Sequence, residues 1–277
     1  ALFATQEKIR EEAKAAKKLS IDALKAFAEV PGQENTQTPD FALSAPTANT
    51  RTYRTLSLSL DPLKSQARAL DAKINDVFIW IASTALRTYL IEHDLLPEQS
   101  LSVNSARSYR NDEHGHYGNR IVAVRPKLAT NIEDPMERLN KIQTSMRIEI
   151  ARSEIEERLL DQPAKPFGAA KRREQFAKRT DKQESILSGN ITLSNVPGPT
   201  KPRYFAGFRQ LANYPVPLLG SGRFLNITSR RNEDYLDWGV MADPEKIKDM
   251  DRLMALLEQA ITELDQLAHS HGTAEPA

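Results

Sequence analysis

Five histidines, His93, His114, His116, His269 and His271, are where proton-transfer chemistry would be sought first. Imidazole titrates near neutral pH and is the usual general base. His93 closes an apolar stretch, and His269 and His271 lie in the C-terminal tail. His114 and His116 stand in Asn111-Asp112-Glu113-His114-Gly115-His116-Tyr117-Gly118-Asn119, a turn-rich loop. Imidazole and carboxylate are both good metal ligands and could hold an ion there; the same spacing equally suits solvated turn residues. The chain has no Gly-x-Ser-x-Gly elbow and no P-loop. Gly220-Ser221-Gly222 lacks the strand–serine–helix surroundings of an elbow and reads as a turn before a strand at Phe224. Cysteine is absent, which excludes thiolate nucleophiles, thiolate metal sites and disulfides. The residues by themselves assign no catalytic group and no metal site.

Charge narrows the partners. With 38 Lys and Arg against 37 Asp and Glu, the net charge is +1, without the cationic excess of a nucleic-acid binder. The densest basic stretch holds Lys171, Arg172, Arg173, Lys178, Arg179 and Lys182. It could meet the phosphates of a nucleotide-bearing cofactor or anionic lipid heads. Glu174, Asp181 and Glu184 dilute it toward a solvated helix face. The longest apolar run, Val77 to Leu86, is interrupted by Ser83 and Thr84 and falls short of the roughly 20 residues of a membrane span. The lack of cysteine fits a reducing cytosol. The chain starts Ala1-Leu2-Phe3-Ala4 without methionine or signal-peptide features, and is expected to begin partway along a longer protein.

The elements that would position any site can be read along the chain. Residues 6–29 predict a polar helix, and 31–50 a Pro-, Gly- and Asn-containing linker. Leu56, Leu58 and Leu60 alternate with Thr55, Ser57 and Ser59, a half-buried strand. Asp-Pro pairs at Asp61, Asp134 and Asp243 each predict a helix start, the second strengthened by Glu137. Residues 75–92 are apolar nearly all round and predict a buried helix; 135–160 and 244–268 predict amphipathic ones. Strands are expected at 101–105, 120–125, 190–196, 224–230 and 235–241, the last two joined by a turn at Arg231-Asn232-Glu233. Intermixed strands and helices make the class α/β or α+β. At 277 residues the chain can hold one large domain or two small ones.

Six phrases in one order resemble a known family. They are Asn75-Asp76-Val77-Phe78-Ile79-Trp80; Gly118-Asn119-Arg120-Ile121 followed by Asp134-Pro135-Met136-Glu137-Arg138-Leu139; and Ser194-Asn195-Val196-Pro197-Gly198-Pro199. Tyr214-Pro215-Val216, Gly222-Arg223-Phe224-Leu225-Asn226-Ile227-Thr228 and Asp237-Trp238-Gly239-Val240-Met241-Ala242-Asp243 complete the series. Residues 50 to 268 are similar to the C-terminal half of wax ester synthase/diacylglycerol acyltransferases, within the CoA-dependent acyltransferase superfamily. That resemblance implies an α/β fold: one lobe of a chloramphenicol-acetyltransferase-like pair, a mixed sheet flanked by helices. Residues 1–50 would be linker helix and crossover loop, and 51–277 the lobe.

The resemblance also implies acyl transfer from acyl-CoA, a co-substrate rather than a cofactor, to a fatty alcohol or diacylglycerol. The base in such enzymes is a histidine in His-His-x-x-x-Asp-Gly of the other lobe, and this sequence contains no such motif. The chain alone is therefore expected to be inactive, with the missing N-terminal lobe as its partner. Asn75 and Asp76, which open a helix whose dipole favours negative charge, would lie near the reaction centre; either could instead cap that helix. Ser194, Asn195, Gly198 and Asn226 are the further candidate substrate-binding residues, with a structural turn as the other account of Ser194 to Pro199. Asp237-Trp238-Gly239 would support the structure, with Trp238 in the core. A cytoplasmic location with contact to a membrane or lipid body would suit lipid substrates. A non-catalytic lipid-binding module and a condensation-type domain with another acceptor are the competing readings.

Overall fold

In the computed structural model, residues 41–44, 48–111, 120–160, 189–220 and 222–272 are described. The expected helix at 6–29, the His114/His116 loop and the basic cluster at 171–182 lie outside them. Two compact units divide the chain: residues 37–105, 125–146 and 180–277 in the larger, 1–36, 106–124 and 147–179 in the smaller.

The elements are, in chain order, β1 (Thr52–Ser59), α1 (Leu60–Ala69), α2 (Ile74–Glu92), β2 (Val103–Ser108), β3 (Ile121–Val124), α3 (Pro135–Leu160) and β4 (Ile191–Val196), then β5 (Tyr204–Phe205), β6 (Phe208–Arg209), β7 (Leu225–Asn232), β8 (Tyr235–Ala242) and α4 (Met250–Gly272). One six-stranded sheet has the order β1-β8-β7-β4-β2-β3, and β5 pairs with β6 alone. The β1-β8 and β8-β7 pairs are antiparallel, whereas β7-β4 and β4-β2 are parallel. The expected mixed sheet flanked by helices is what forms.

In the larger unit the sheet register sorts side chains onto two faces, because Cα partners point to the same side. Leu56, Trp238, Ser229 and Asn195 form a row across β1, β8, β7 and β4. The Trp238 indole is fully buried, and the Phe78 ring of α2 meets it edge-on at 4.7 Å between centroids. α2 thus covers this face, packed along α4. Its all-round apolar surface is explained by burial of every residue from Asp76 to Leu86. Ser83, in mid-helix, is tolerated because its hydroxyl donates to the Leu128 carbonyl at 2.5 Å. Phe41 and Leu43 are buried as well, the Phe41 ring 5.6 Å from that of Phe224.

Two of the three expected Asp-Pro helix starts are corrected. At Asp134 the signal holds: its Oδ1 accepts the Glu137 N–H at 2.7 Å and α3 begins at Pro135. α1, however, begins at Leu60 with Ser59 in the cap position, so Asp61 lies in the first turn. Leu60 is buried, and its N–H donates to the Asp234 carbonyl, which ends β1 one residue before the expected alternation stops. Asp243 caps only a turn, accepting the Glu245 N–H at 2.9 Å and the Ala48 N–H at 2.9 Å. α4 starts six residues after Pro244, where the Asp249 carboxylate accepts the Arg252 N–H at 2.8 Å. The β7–β8 loop is Glu233-Asp234 rather than 231–233, with Glu233 at φ 55°.

The smaller unit contains the last residues of β2, all of β3 and the second half of α3. Arg107 ties strand to helix there, donating to Glu157 at 3.0 Å and to Ser153 at 3.3 Å.

Candidate functional site

The start of α2 shows which of Asn75 and Asp76 caps the helix. Lys73 occupies the cap position, and the Asp76 carboxylate accepts the Lys73 N–H at 3.0 Å. Asp76 therefore takes the reciprocal role of a capping box and satisfies a donor at the helix entrance. Asn75 is half-buried in the first turn, and its amide makes no hydrogen bond among the described residues. It stands one turn before Phe78, the ring that covers Trp238. Trp80 and Arg138 link this helix to the Asp-Pro-Met-Glu-Arg-Leu phrase. The Trp80 indole N–H donates to the Pro135 carbonyl at 3.0 Å, and the buried Arg138 guanidinium lies over the Trp80 ring at 5.5 Å.

At the end of β4, Ser194 and Asn195 point to opposite faces, as strand neighbours must. Ser194 pairs with Thr228, whereas Asn195 pairs with Ser229 in the row that includes Trp238. The buried Ser229 hydroxyl donates to Asn195 Oδ1 at 2.9 Å, which leaves the Asn195 amide nitrogen as the donor end. Gly198 packs flat on β7, since a Cβ there would stand 1.8 Å from the Arg231 carbonyl oxygen. Its neighbour Pro199 accepts the Glu233 N–H at 2.8 Å. This turn is thus fixed against the β7–β8 hairpin, and its Gly and Pro are explained by that approach.

The second face of the sheet is crossed by residues 211–220, a strap without regular secondary structure. Side chains of the sheet hold its backbone. Asn226, buried, donates to the Leu218 carbonyl at 2.7 Å and accepts from Thr228 at 3.0 Å. Tyr53 donates to the Pro215 carbonyl at 3.0 Å; burial, helped by the neighbouring Tyr214, raises the Tyr53 pKa, so the phenol keeps its proton for this bond. Gly239 permits the crossing, because a Cβ there would lie 1.7 Å from the Pro215 carbonyl oxygen. The buried Asp237 carboxylate accepts the Asn213 N–H and the Ser57 hydroxyl, each at 2.6 Å. Replacing Asp237 with Ala leaves the Asn213 N–H unpaired and is expected to cost about 2–3 kcal/mol. Urea unfolding and faster amide exchange at residues 213–218 would record it; unchanged exchange there would contradict this anchoring role.

The structure therefore separates the six candidates. Asn75 and Asn195 lie on the helix-covered side of the sheet, Ser194 and Asn226 on the strap side, and Asp76 and Gly198 are engaged by their own local geometry. The strap and the β5–β6 hairpin were not foreseen; the only signal was Tyr214-Pro215-Val216-Pro217, whose prolines impose extended backbone on the residues before them. Among the described histidines, His93 stacks on Tyr89 at the far end of α2, about 27 Å of helix from Asn75, and His269 is exposed near the end of α4. Among the described residues no group of three or more His, Asp or Glu is placed to hold a metal. No described helix is long and apolar enough to cross a membrane.

Comparison with known proteins gives the family and the fold. Residues 117–265 match the family described as the WS/DGAT C-terminal domain. A Mycobacterium tuberculosis protein bearing the name of a diacylglycerol O-acyltransferase is 33% identical over 236 residues, covering 82% of this chain and 51% of that protein. The O-acyltransferase WSD of Acinetobacter baylyi is 32% identical over 235 residues, covering 81% of this chain and 48% of its own length. The chain thus spans about half the length of these curated relatives. The solved wax ester synthase/diacylglycerol acyltransferase of Marinobacter aquaeolei VT8 shares the fold, with a TM-score of 0.66 at 24% identity, over 92% of this chain and 57% of that one. By sequence match and by fold, this chain belongs to the wax ester synthase/diacylglycerol acyltransferase family and represents its C-terminal portion.

Proposed function

We propose that this chain is the C-terminal half of an acyl-CoA-dependent O-acyltransferase that esterifies a fatty alcohol or diacylglycerol. The observation that carries the reading beyond family membership is Asn75. Asp76 alone serves the helix cap, so the neighbouring amide is free to donate at the positive end of a buried helix. In the reaction the alcohol oxygen attacks the thioester carbonyl carbon while its proton passes to a histidine of the other half. The tetrahedral oxyanion then collapses, the carbon–sulfur bond breaks, and the CoA thiolate takes the proton. Asn75, with the amide of Asn195, would donate to the oxyanion. Asp76 and Gly198 hold the backbone that presents those two, and Ser194 and Asn226 set the strap side of the sheet. Acyl-CoA and the acceptor are substrates, and no cofactor enters the reaction.

The test compares this chain with the gene product extended upstream, using palmitoyl-CoA and a fatty alcohol or diacylglycerol and separating the ester formed. Ester from the extended protein only is the expected outcome. Lipid bound by both with no ester from either would replace the proposal with a lipid-binding module. Product on a different acceptor class would shift it to a condensation-type domain.

A further inference from the structure

From Ser185 to Asn232 the sequence contains no Asp or Glu, yet it holds Lys201, Arg203, Arg209, Arg223, Arg230 and Arg231. All but Arg223 stand at one end of the sheet. β4 and β7 are parallel, so their carboxyl ends lie side by side, with Arg230 the Cα partner of Val196. Lys201 and Arg203 follow β4, and Arg230 and Arg231 are among the last residues of β7. In open α/β sheets, ligands bind beyond the carboxyl ends of the parallel strands.

These cations are held in place without being neutralised. Pro199 accepts the Glu233 N–H at 2.8 Å, and the Gln210 N–H donates to the Arg203 carbonyl at 2.8 Å. The Gln210 side chain donates to Asn232 at 3.0 Å. The backbone on either side of Lys201 is thereby fixed to the β7–β8 hairpin. Arg230 Cγ lies 3.3 Å from where a Cβ on Gly198 would stand, so the bare glycine lets the arginine stem lie against the turn. The Arg230 Nε is buried without a hydrogen-bond partner among the described residues. Arg231 Nε donates to the Glu233 carbonyl at 2.8 Å, a neutral group. Lys201 and Arg203 are exposed, and their heads make no ion pair among the described residues. Of the neighbouring acids, Glu233 is paired with Arg209 at 2.7 Å. Asp237, opposite Arg230 in register, is occupied by the Asn213 N–H and the Ser57 hydroxyl. Asp234 alone remains against four cations, and a polyanion relieves such an excess.

We propose that this end of the sheet binds the phosphates in the nucleotide part of acyl-CoA. The proposal rests on the half-enzyme reading above and adds the place where the acyl donor is held. Guanidinium groups match phosphate oxygens in pairs, and lysine adds a point charge. Strand neighbours point to opposite faces, so Arg231 shares the face of Ser229 and Asn195, and Arg230 that of Ser194. Phosphates held here sit at the strand end that carries Asn195, and the long pantetheine arm of CoA spans the remaining way to the thioester.

The test is binding of free CoA to this chain by equilibrium dialysis, against the triple variant Lys201→Gln, Arg203→Gln, Arg230→Gln. The chain has no cysteine, so the CoA thiol forms no mixed disulfide with it. The triple variant is expected to bind CoA about 30-fold more weakly, roughly threefold per cation. The unaltered chain is expected to prefer CoA over dephospho-CoA, and the variant to lose that preference. Arg68→Gln, at an exposed position of α1, is the control and should change neither. Equal CoA affinity in the triple variant, or no preference for CoA over dephospho-CoA in the unaltered chain, would overturn the proposal. So would lost binding of phosphatidylglycerol vesicles with CoA binding kept, which would assign the cations to lipid headgroups. Inorganic pyrophosphate binding as tightly as CoA would overturn it too, leaving a general anion site. Weakened CoA binding in the variant, with no ester from the upstream-extended protein, would leave the phosphate site standing and remove the acyltransferase reading. Ester formation by the extended triple variant at unchanged KM for palmitoyl-CoA would do the reverse.

Discussion

Trp238→Ala should destabilise the protein by about 3–5 kcal/mol, read as a lower urea midpoint at unchanged slope. The indole is 0% exposed in the central antiparallel part of the sheet and is covered edge-on by Phe78. Truncation removes its buried area and leaves a cavity between the sheet and α2, which rigid neighbours cannot close. Trp238→Phe is the informative companion. The Trp238 Nε1 is buried without a hydrogen-bond partner among the described residues, so removing that N–H relieves an unpaired donor. Phe should therefore cost far less than Ala. Equal losses for the two would mean that the indole nitrogen, rather than ring packing, carries the stability.

Asn75→Ala, made in the extended protein, should lower kcat about 100-fold with little change in KM, the pattern of a donor used in the transition state. Its folding should be untouched, because the cap is supplied by Asp76 and the Asn75 amide binds nothing in the described structure. Asp76→Ala should do the opposite: stability falls by about 1 kcal/mol as the Lys73 N–H loses its acceptor. An Asn75 variant that loses stability but keeps kcat would return the residue to a purely structural role.

The sequence made the frame legible where one physical signal acted alone. α2 was readable because it is apolar nearly all round, and burial of each residue from Asp76 to Leu86 is the reason. β7 and β8 were readable as two strand candidates joined by a short turn, and both are buried along most of their length. Boundaries failed where a local signal had another use. Asp243-Pro244 looks like a helix start, yet Asp243 is spent on Glu245 and Ala48, so the helix waits for Asp249. The strap was illegible because its hydrogen bonds join residues far apart in sequence, such as Tyr53 with Pro215 and Ser57 with Asp237. β5 and β6, two residues each, are too short to show any period.

For the site, recognition of ordered phrases reached further than residue chemistry did. The structure brings several of those phrases into contact. Asn75 to Trp80 meets Asp134 to Leu139 through Trp80 and Pro135; Ser194 to Pro199 meets β7 through Gly198; Tyr214 to Val216 meets Asp237 to Gly239 through Pro215. Which of Asn75 and Asp76 caps the helix required coordinates, because both residue types suit the role.

The most direct measurement is free CoA released from palmitoyl-CoA by three proteins side by side. They are this chain, the upstream-extended protein, and that extended protein with the histidine of the His-His-x-x-x-Asp-Gly motif that the proposed function expects there replaced by Ala. The half-enzyme account predicts acceptor-dependent CoA release from the intact extended protein alone. Release by this chain on its own, or undiminished release by the histidine variant, would contradict it, and His114 and His116 would then be the first residues to replace.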